Sequence, residues 1–311
     1  MPITEVTAPS FRWINITGAT ADDTPEMRYV REHYPYFNIL NLKDCVSTGQ
    51  RPKLELYDRY AFMVLLFPVY NRQTKEIEPT EIDFFIGKDF LITLHDNKRH
   101  IVQEQFDALK AHVHAEKGEA PNLLLTVANL INQLLGSCFP MLDHISMDLH
   151  AIERLIFRGK ERGMVQEILT TRRNIVDFRK IMQAHKNTIK KLGYANRTLN
   201  IAPVEQANAV LENAIESSKE IWDNLEAFRE AVEALQATNE SLISFRLNDI
   251  MKTYTTISVV IFTLTLVTTI FAARLPHTPL VNTDFGFYAM LAVLAVLGSS
   301  AVGIFKWKRW L

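Results

Sequence analysis

Between Phe11 and His95 the apolar residues come in short runs, FRWINI, LYDRYAFMVLLFPVY and EIDFFIGKDFLITLHDN, divided by turn signals. Runs of this length rich in Val, Ile, Phe and Tyr predict strands, and Gly87-Lys88-Asp89 predicts a hairpin turn between two of them. Residues 22–33 predict a short helix capped by Asp22 or Thr24, with Pro25 in its first turn. Beyond His95 the period changes. Residues 100–116 space Ile101, Phe106, Leu109 and Val113 at helical intervals, and the break at 117–122 leads into long helices. These are expected at about 122–150, 164–194 and 204–248, with Gly159 and Gly163 at the first turn and residues 200–203 at the second.

The last sixty residues hold two runs of another kind. Residues 253–273 carry no charge over 21 positions, which at ~1.5 Å per residue makes a helix of about 30 Å, one bilayer core. This run is unusual for a membrane span because it contains seven Thr and one Ser, a density that predicts a polar face. Residues 285–305 are again 21 without charge and stop at Lys306-Trp307-Lys308-Arg309-Trp310, a basic and aromatic interface anchor. Arg246 and Lys252 flank the first run, so the large domain and the C-terminus are expected on one side, the cytoplasmic face of the cell's inner membrane. The expected division is an α/β cytoplasmic domain at 1–120, long helices including a stalk at 121–250, a first transmembrane helix at 251–273, an external loop at 274–284, a second at 285–305 and a basic tail at 306–311. The fold class is α+β with long stalk helices and two C-terminal transmembrane helices.

Composition narrows the partners. A net charge of −1 gives no footing for nucleic acid. Two cysteines and nine histidines form neither a disulfide framework nor a Cys/His metal cluster. The N-terminal residues MPITEVTAPSFRWINITG lack the basic and apolar regions of a signal peptide. No nucleophile–base set or glycine-rich phosphate loop occurs, so no enzyme is expected. Residues 153–191 hold eleven basic side chains against four acids, and 204–249 hold ten acids against three basic ones. Two antiparallel helices of opposite sign lying side by side is one reading, solvated faces with local pairs such as Lys219–Asp223 another, and attraction of divalent cations by the acidic helix a third. His112 with His114, and His144 with Asp148, are the other metal-ligand candidates, each more simply a surface or core pair. No metal site is assigned.

Several stretches together resemble the CorA-type divalent-cation transporters. PKLELYDRYAFMVLLFPVY and EIDFFIGKDFLITLHDN resemble the paired strands of that family's cytoplasmic domain. FPMLDHISMDLHAIE and TRRNIVDFRKIMQAHKNTIKKL resemble its long helices. LNDIMKTYTTISVVIFTLTLVTTIF resembles its pore helix, and FKWKRWL its basic tail. The resemblance implies a funnel-shaped homopentamer in the lipid bilayer, with a divalent cation, magnesium or a transition metal, as transported or regulatory ion. It also implies carboxylates between subunits that sense cytosolic magnesium; none is assigned here.

Helical spacing and the resemblance agree on a pore-lining set: Asn248, Met251, Tyr254, Ser258, Phe262, Thr265 and Thr269. Hydroxyls at Ser258, Thr265 and Thr269 suit an ion that keeps its water, and Met251, Tyr254 and Phe262 are expected to close the path by dewetting. The competing role for the hydroxyls is bonding to the carbonyl one turn back, or close helix packing. Where the family carries Gly-Met-Asn at the external mouth, this chain has Ala272-Ala273-Arg274, and the loop behind it holds one acid, Asp284. Arg274 either faces the axis or reaches outward to headgroups or Asp284. The altered mouth leaves a second expectation, a relative with lost or changed conduction that serves as a scaffold or partner of other membrane proteins, and a third, an anion-permeable pore.

Overall fold

The structure, a computed structural model, describes residues 3–19, 21–47, 49–96, 100–115, 122–273 and 285–307. It divides into two units, Met1–Gln236 and Ala237–Leu311.

The first unit is built on one six-stranded sheet. Its strands are β1 (Ile3–Thr7), β2 (Arg12–Thr17), β3 (Lys53–Leu56), β4 (Tyr60–Asn71), β5 (Glu76–Gly87) and β6 (Phe90–His95), in the order β1-β2-β6-β5-β4-β3. β2 runs parallel to β6, and the other neighbours are antiparallel. The β4–β5 ladder runs from Tyr60 opposite Gly87 to Asn71 opposite Glu76. The expected turn after Gly87 forms. A Cβ at Gly87 would run into the ring of Phe90, so the tight return of β6 needs glycine there. β1, ITEVT, was not expected, because an edge strand with mostly half-exposed residues carries little apolar signal.

Two short helices, α1 (Pro25–His33) and α2 (Ile39–Asp44), cover one face of the sheet. Ile14, Ile16, Met27, Val30, Phe62 and Phe85 are buried between them. Thr24, not Asp22, caps α1 by accepting from the Met27 amide; Asp22 instead pairs with Arg31 at 2.6 Å. α2 was missed, being six residues long and below the length at which helical periodicity can be read.

The other face carries α3 (His100–His114), α4 (Leu123–Gly136), α5 (Phe139–Phe157), α6 (Glu161–Met182) and α7 (His185–Leu199). Trp13 meets Phe106 of α3 edge-on at 5.3 Å and donates its indole N–H to Thr93 Oγ1 at 2.9 Å. Two expected helices are each divided. The helix expected at 122–150 breaks at Ser137 and Cys138, and Pro140 opens α5, where its missing N–H does no harm. The helix expected at 164–194 starts earlier, at Glu161, and breaks at Gln183 and Ala184. There His185 is fully buried against Phe67, 5.1 Å away ring to ring, and burial lowers its pKa to about 4.

The third long helix does not stop near Asn248. α8 runs unbroken through 69 residues, Val204–Ala272, a rod of about 100 Å, because no glycine or proline interrupts it. Within the first unit it lies antiparallel to α6. Arg172 donates to Gln236 at 3.3 Å, while Arg179 pairs with Glu226 and stacks over Trp222 at 5.0 Å. Local pairs occur as well, Arg229 with Glu226 at 2.6 Å and with Glu233 at 2.9 Å. The second unit consists of the end of α8 and α9 (Gly286–Trp307).

Candidate functional site

Among the described residues, three segments are long and apolar enough to cross a membrane: Leu123–Phe157, Ala209–Ile270 and Gly286–Trp307. The first joins α4 and α5, and its apolar residues, among them Leu124, Val127, Ile131 and Leu134, are buried in the first unit. In the other two almost no residue of the apolar stretch is buried. Exposed apolar helices of this length belong in hydrocarbon. They contain the two uncharged runs that the sequence predicts to cross a membrane.

Each span has one partly shielded side. On α8 it is Thr256, Val260, Leu264 and Val267; on α9 it is Gly286, Met290, Leu294, Leu297, Ala301 and Phe305. Both sets recur every three or four residues, one stripe of a helix, as two helices covering one another require. The residues expected to line a pore, Asn248, Met251, Tyr254, Ser258, Phe262, Thr265 and Thr269, are all exposed. At ~100° per residue their mean direction lies roughly 170° around α8 from the shielded stripe. They therefore share one face, opposite the shielded stripe. The two flanks between these faces are apolar and exposed, with Val259, Leu266 and Ile270 on one and Ile257 and Ile261 on the other.

The threonine hydroxyls are engaged with the helix itself. Thr255 donates to the Met251 carbonyl at 2.7 Å, Thr265 to Ile261 at 2.8 Å and Thr269 to Thr265 at 2.7 Å; Thr253, Thr263 and Thr268 do the same one turn back. The bond one turn back thus forms at these six threonines but not at Thr256, whose buried hydroxyl has no partner, and where it forms it spends the donor while leaving the oxygen lone pairs. Along the exposed face the bulky Met251, Tyr254 and Phe262, with Ser258 between the last two, lead into the hydroxyls of Thr265 and Thr269. Ala272 ends α8, and the Ala273 amide donates to Thr269 at 3.0 Å. Arg274, Asp284 and the expected loop at 274–284 lie outside the described residues.

The minor candidates do not come together as ligand sets. Among the described residues no three His, Cys, Asp or Glu side chains are arranged to hold a metal, so the acidic stretch of α8 shows no coordination site. His144 and Asp148 do share a cavity of about 580 Å³ with Tyr70, Arg72 and Asn174. Burial raises the Asp148 pKa and His144 draws it back. Reading the sequence missed a second cavity between β5 and the end of α2, into which two acids project from one strand, Glu81 and Asp83. The signal was present: both share the alternation parity of buried Phe85.

Comparison with known proteins bears on the whole chain. The family described as CorA-like Mg2+ transporter protein matches residues 9–309. A cobalt/magnesium transport protein CorA of Thermotoga maritima is 25% identical over 320 residues, covering 100% of this chain and 86% of its own. A putative metal ion transporter, YfjQ, of Bacillus subtilis is 23% identical, with coverage of 100% and 93%. Among solved structures, the CorA magnesium transporter of Methanocaldococcus jannaschii superposes with a TM-score of 0.81 at 18% identity, over 97% of this chain and 92% of that one.

Proposed function

We propose that this chain, which belongs to the CorA-like Mg2+ transporter family, passes a hydrated divalent cation, magnesium or a transition metal, along the exposed face of α8 in a homopentamer. The family is one of membrane transport proteins rather than enzymes. The observation that carries the reading is the stripe from Asn248 to Thr269, polar oxygens and bulky side chains together, on the side of α8 opposite its shielded stripe.

Water bound to a cation turns its oxygen inward and its hydrogens outward, so a second shell needs acceptors. Thr265 and Thr269, with their donors already given to Ile261 and Thr265, present acceptors only. That suits magnesium, which gives up its water reluctantly and is held more readily through it. Met251, Tyr254 and Phe262, each more than 60% exposed in the single chain, would form rings that exclude water when the path is closed. The apolar flanks would pack against neighbouring copies of α8, with α9 outside toward lipid in the inner membrane and both chain ends in the cytoplasm.

At the mouth the reading departs from the family's pattern, because Ala272-Ala273-Arg274 stands where Gly-Met-Asn is expected. Two unit charges ~8 Å apart repel by about 2 kcal/mol at an effective dielectric of 20. A ring of arginines on the axis would therefore oppose divalent ions, whereas arginines turned to the headgroups would leave the path open. Vesicles carrying the purified protein and an ion-sensitive dye test the proposal with magnesium, cobalt, nickel and zinc. Flux above that of empty vesicles is expected for at least one of them. Its absence from the natural protein, with gain on Arg274→Asn, would instead mark a relative that has lost conduction and works as a membrane scaffold. A reversal potential that follows the anion would replace cation passage by anion passage.

A further inference from the structure

The cavity between β5 and the end of α2 is about 380 Å³ and is lined by Cys45, Val46, Leu66, Glu81, Asp83 and Asp96, among others. Glu81 and Asp83 stand two apart on β5 opposite Leu66 and Val64, and so project from the same face of the sheet. Asp83 is 3% exposed. Its Oδ1 and the Oε1 of Glu81 are both buried with no hydrogen-bond partner. Two carboxylate oxygens aimed into a cavity without a donor are costly unless a proton or a cation meets them.

The groups around the pair do not supply that charge. Asp44 from α2 and Asp96 beyond β6 add negative potential. The Cys45 thiol gives its one proton to the Asn41 carbonyl at 3.1 Å. Lys53 is taken up by Asp44 at 2.7 Å and Glu55 at 2.8 Å. Both ring nitrogens of His95 are occupied, by the Asp96 carbonyl at 2.7 Å and Asn15 Oδ1 at 3.1 Å. Thr80 gives its hydroxyl to Asp96 at 2.5 Å.

We propose that Glu81 and Asp83 form a divalent-cation site within a single chain, the ion sitting in the cavity and keeping most of its water. Two carboxylates and a water-sized space are what magnesium or manganese takes, whereas a dry transition-metal cage needs more protein ligands than converge here. Burial pushes Glu81 up to about 7, against hydrogen bonds with Asp83 and the Gln50 backbone that hold it down, and burial with the charge of Glu81 pushes Asp83 well above the carboxylate range. The proposal does not rest on transport, and its test reads binding alone.

The probe is Mn2+, titrated against the full-length protein in detergent and followed by the electron paramagnetic resonance of the free ion. Wild type is expected to bind one Mn2+ per chain more than Asp83→Asn or Glu81→Gln. Equal Mn2+ stoichiometry in wild type and both variants overturns the site. Should neither variant fold, Asp83→Ser and Glu81→Ala are titrated in their place, and Mn2+ stoichiometry equal to wild type in both overturns the site.

Discussion

The Thr265 hydroxyl donates to the Ile261 carbonyl one turn back at 2.8 Å, which leaves its oxygen as an acceptor on the face of α8 opposite its shielded stripe. Thr265→Val keeps the shape and removes that acceptor. A second-shell hydrogen bond worth about 1 kcal/mol corresponds to roughly a fivefold change in rate. Divalent uptake by vesicles should therefore fall about fivefold in Thr265→Val and stay near wild type in Thr265→Ser. The same order is expected at Thr269, and equal flux in all variants would remove the hydroxyl face from the pathway.

Phe262 is 74% exposed in the single chain and is the bulkiest member of that face near mid-span. If it closes the path by excluding water, Phe262→Ser should raise resting flux, because a small polar ring stays wet. Dye uptake in the absence of any stimulus measures this. A lower or unchanged resting flux would assign Phe262 to packing against lipid or a neighbouring helix.

Arg179 holds α6 to α8 through Glu226 and through the face of Trp222 at 5.0 Å. Side-chain exposures of 23% for Arg179 and 35% for Glu226 leave the ion pair partly screened, so it and the cation–π contact together are worth about 1 kcal/mol. Arg179→Ala should lower the thermal midpoint by about 2–4 °C, and raising salt should lower the wild type toward the variant. Glu226→Gln should lose only part of this, since the stacking on Trp222 survives.

Glu81 and His185 act on stability in opposite senses as pH changes. Glu81 is raised to about 7, so the folded chain holds a proton that the unfolded chain has already lost, and stability falls as pH rises from the ordinary glutamate range through 7. His185, lowered to about 4, is buried neutral, and stability falls as pH drops through the ordinary histidine range toward 4. The two offset in wild type. Glu81→Gln removes the glutamate arm and keeps those of His185 and Asp83, so its stability relative to wild type should improve by up to about 3 kcal/mol between roughly pH 4.5 and above 7. Chemical denaturation at several pH values, without divalent cations, checks the sign.

Much of the architecture is legible from residue order because it rests on local periodicity. The β5–β6 turn at Gly87, the cap at Thr24 and the two uncharged runs near the end are each written in a few neighbouring residues. The helix breaks are less so. Ser137 and Gln183 carry no strong breaking signal; α4 yields to α5, and α6 to α7, where the helices must turn to keep Leu135, Leu142, Met182 and Ile189 buried. Edge strand β1 and helix α2 are too short to show a period.

The candidate sites divide in the same way. The face of α8 follows from the 3.6-residue repeat alone, and Asn248 to Thr269 could be grouped before any coordinates existed. That this face lies opposite a shielded stripe depends on how two helices from separate runs shield one another. The cavity at Glu81 and Asp83 joins β5 to the end of α2 across some forty residues of chain. Two acids in a strand are ordinary in sequence. Only the closure of Cys45 and Val46 over them removes the water that would have kept both oxygens solvated. Residue order alone thus determined the elements and the polar face of the span, because periodicity acts between neighbours. Tertiary structure decided which charges lose solvent, because desolvation depends on what the rest of the chain brings over them.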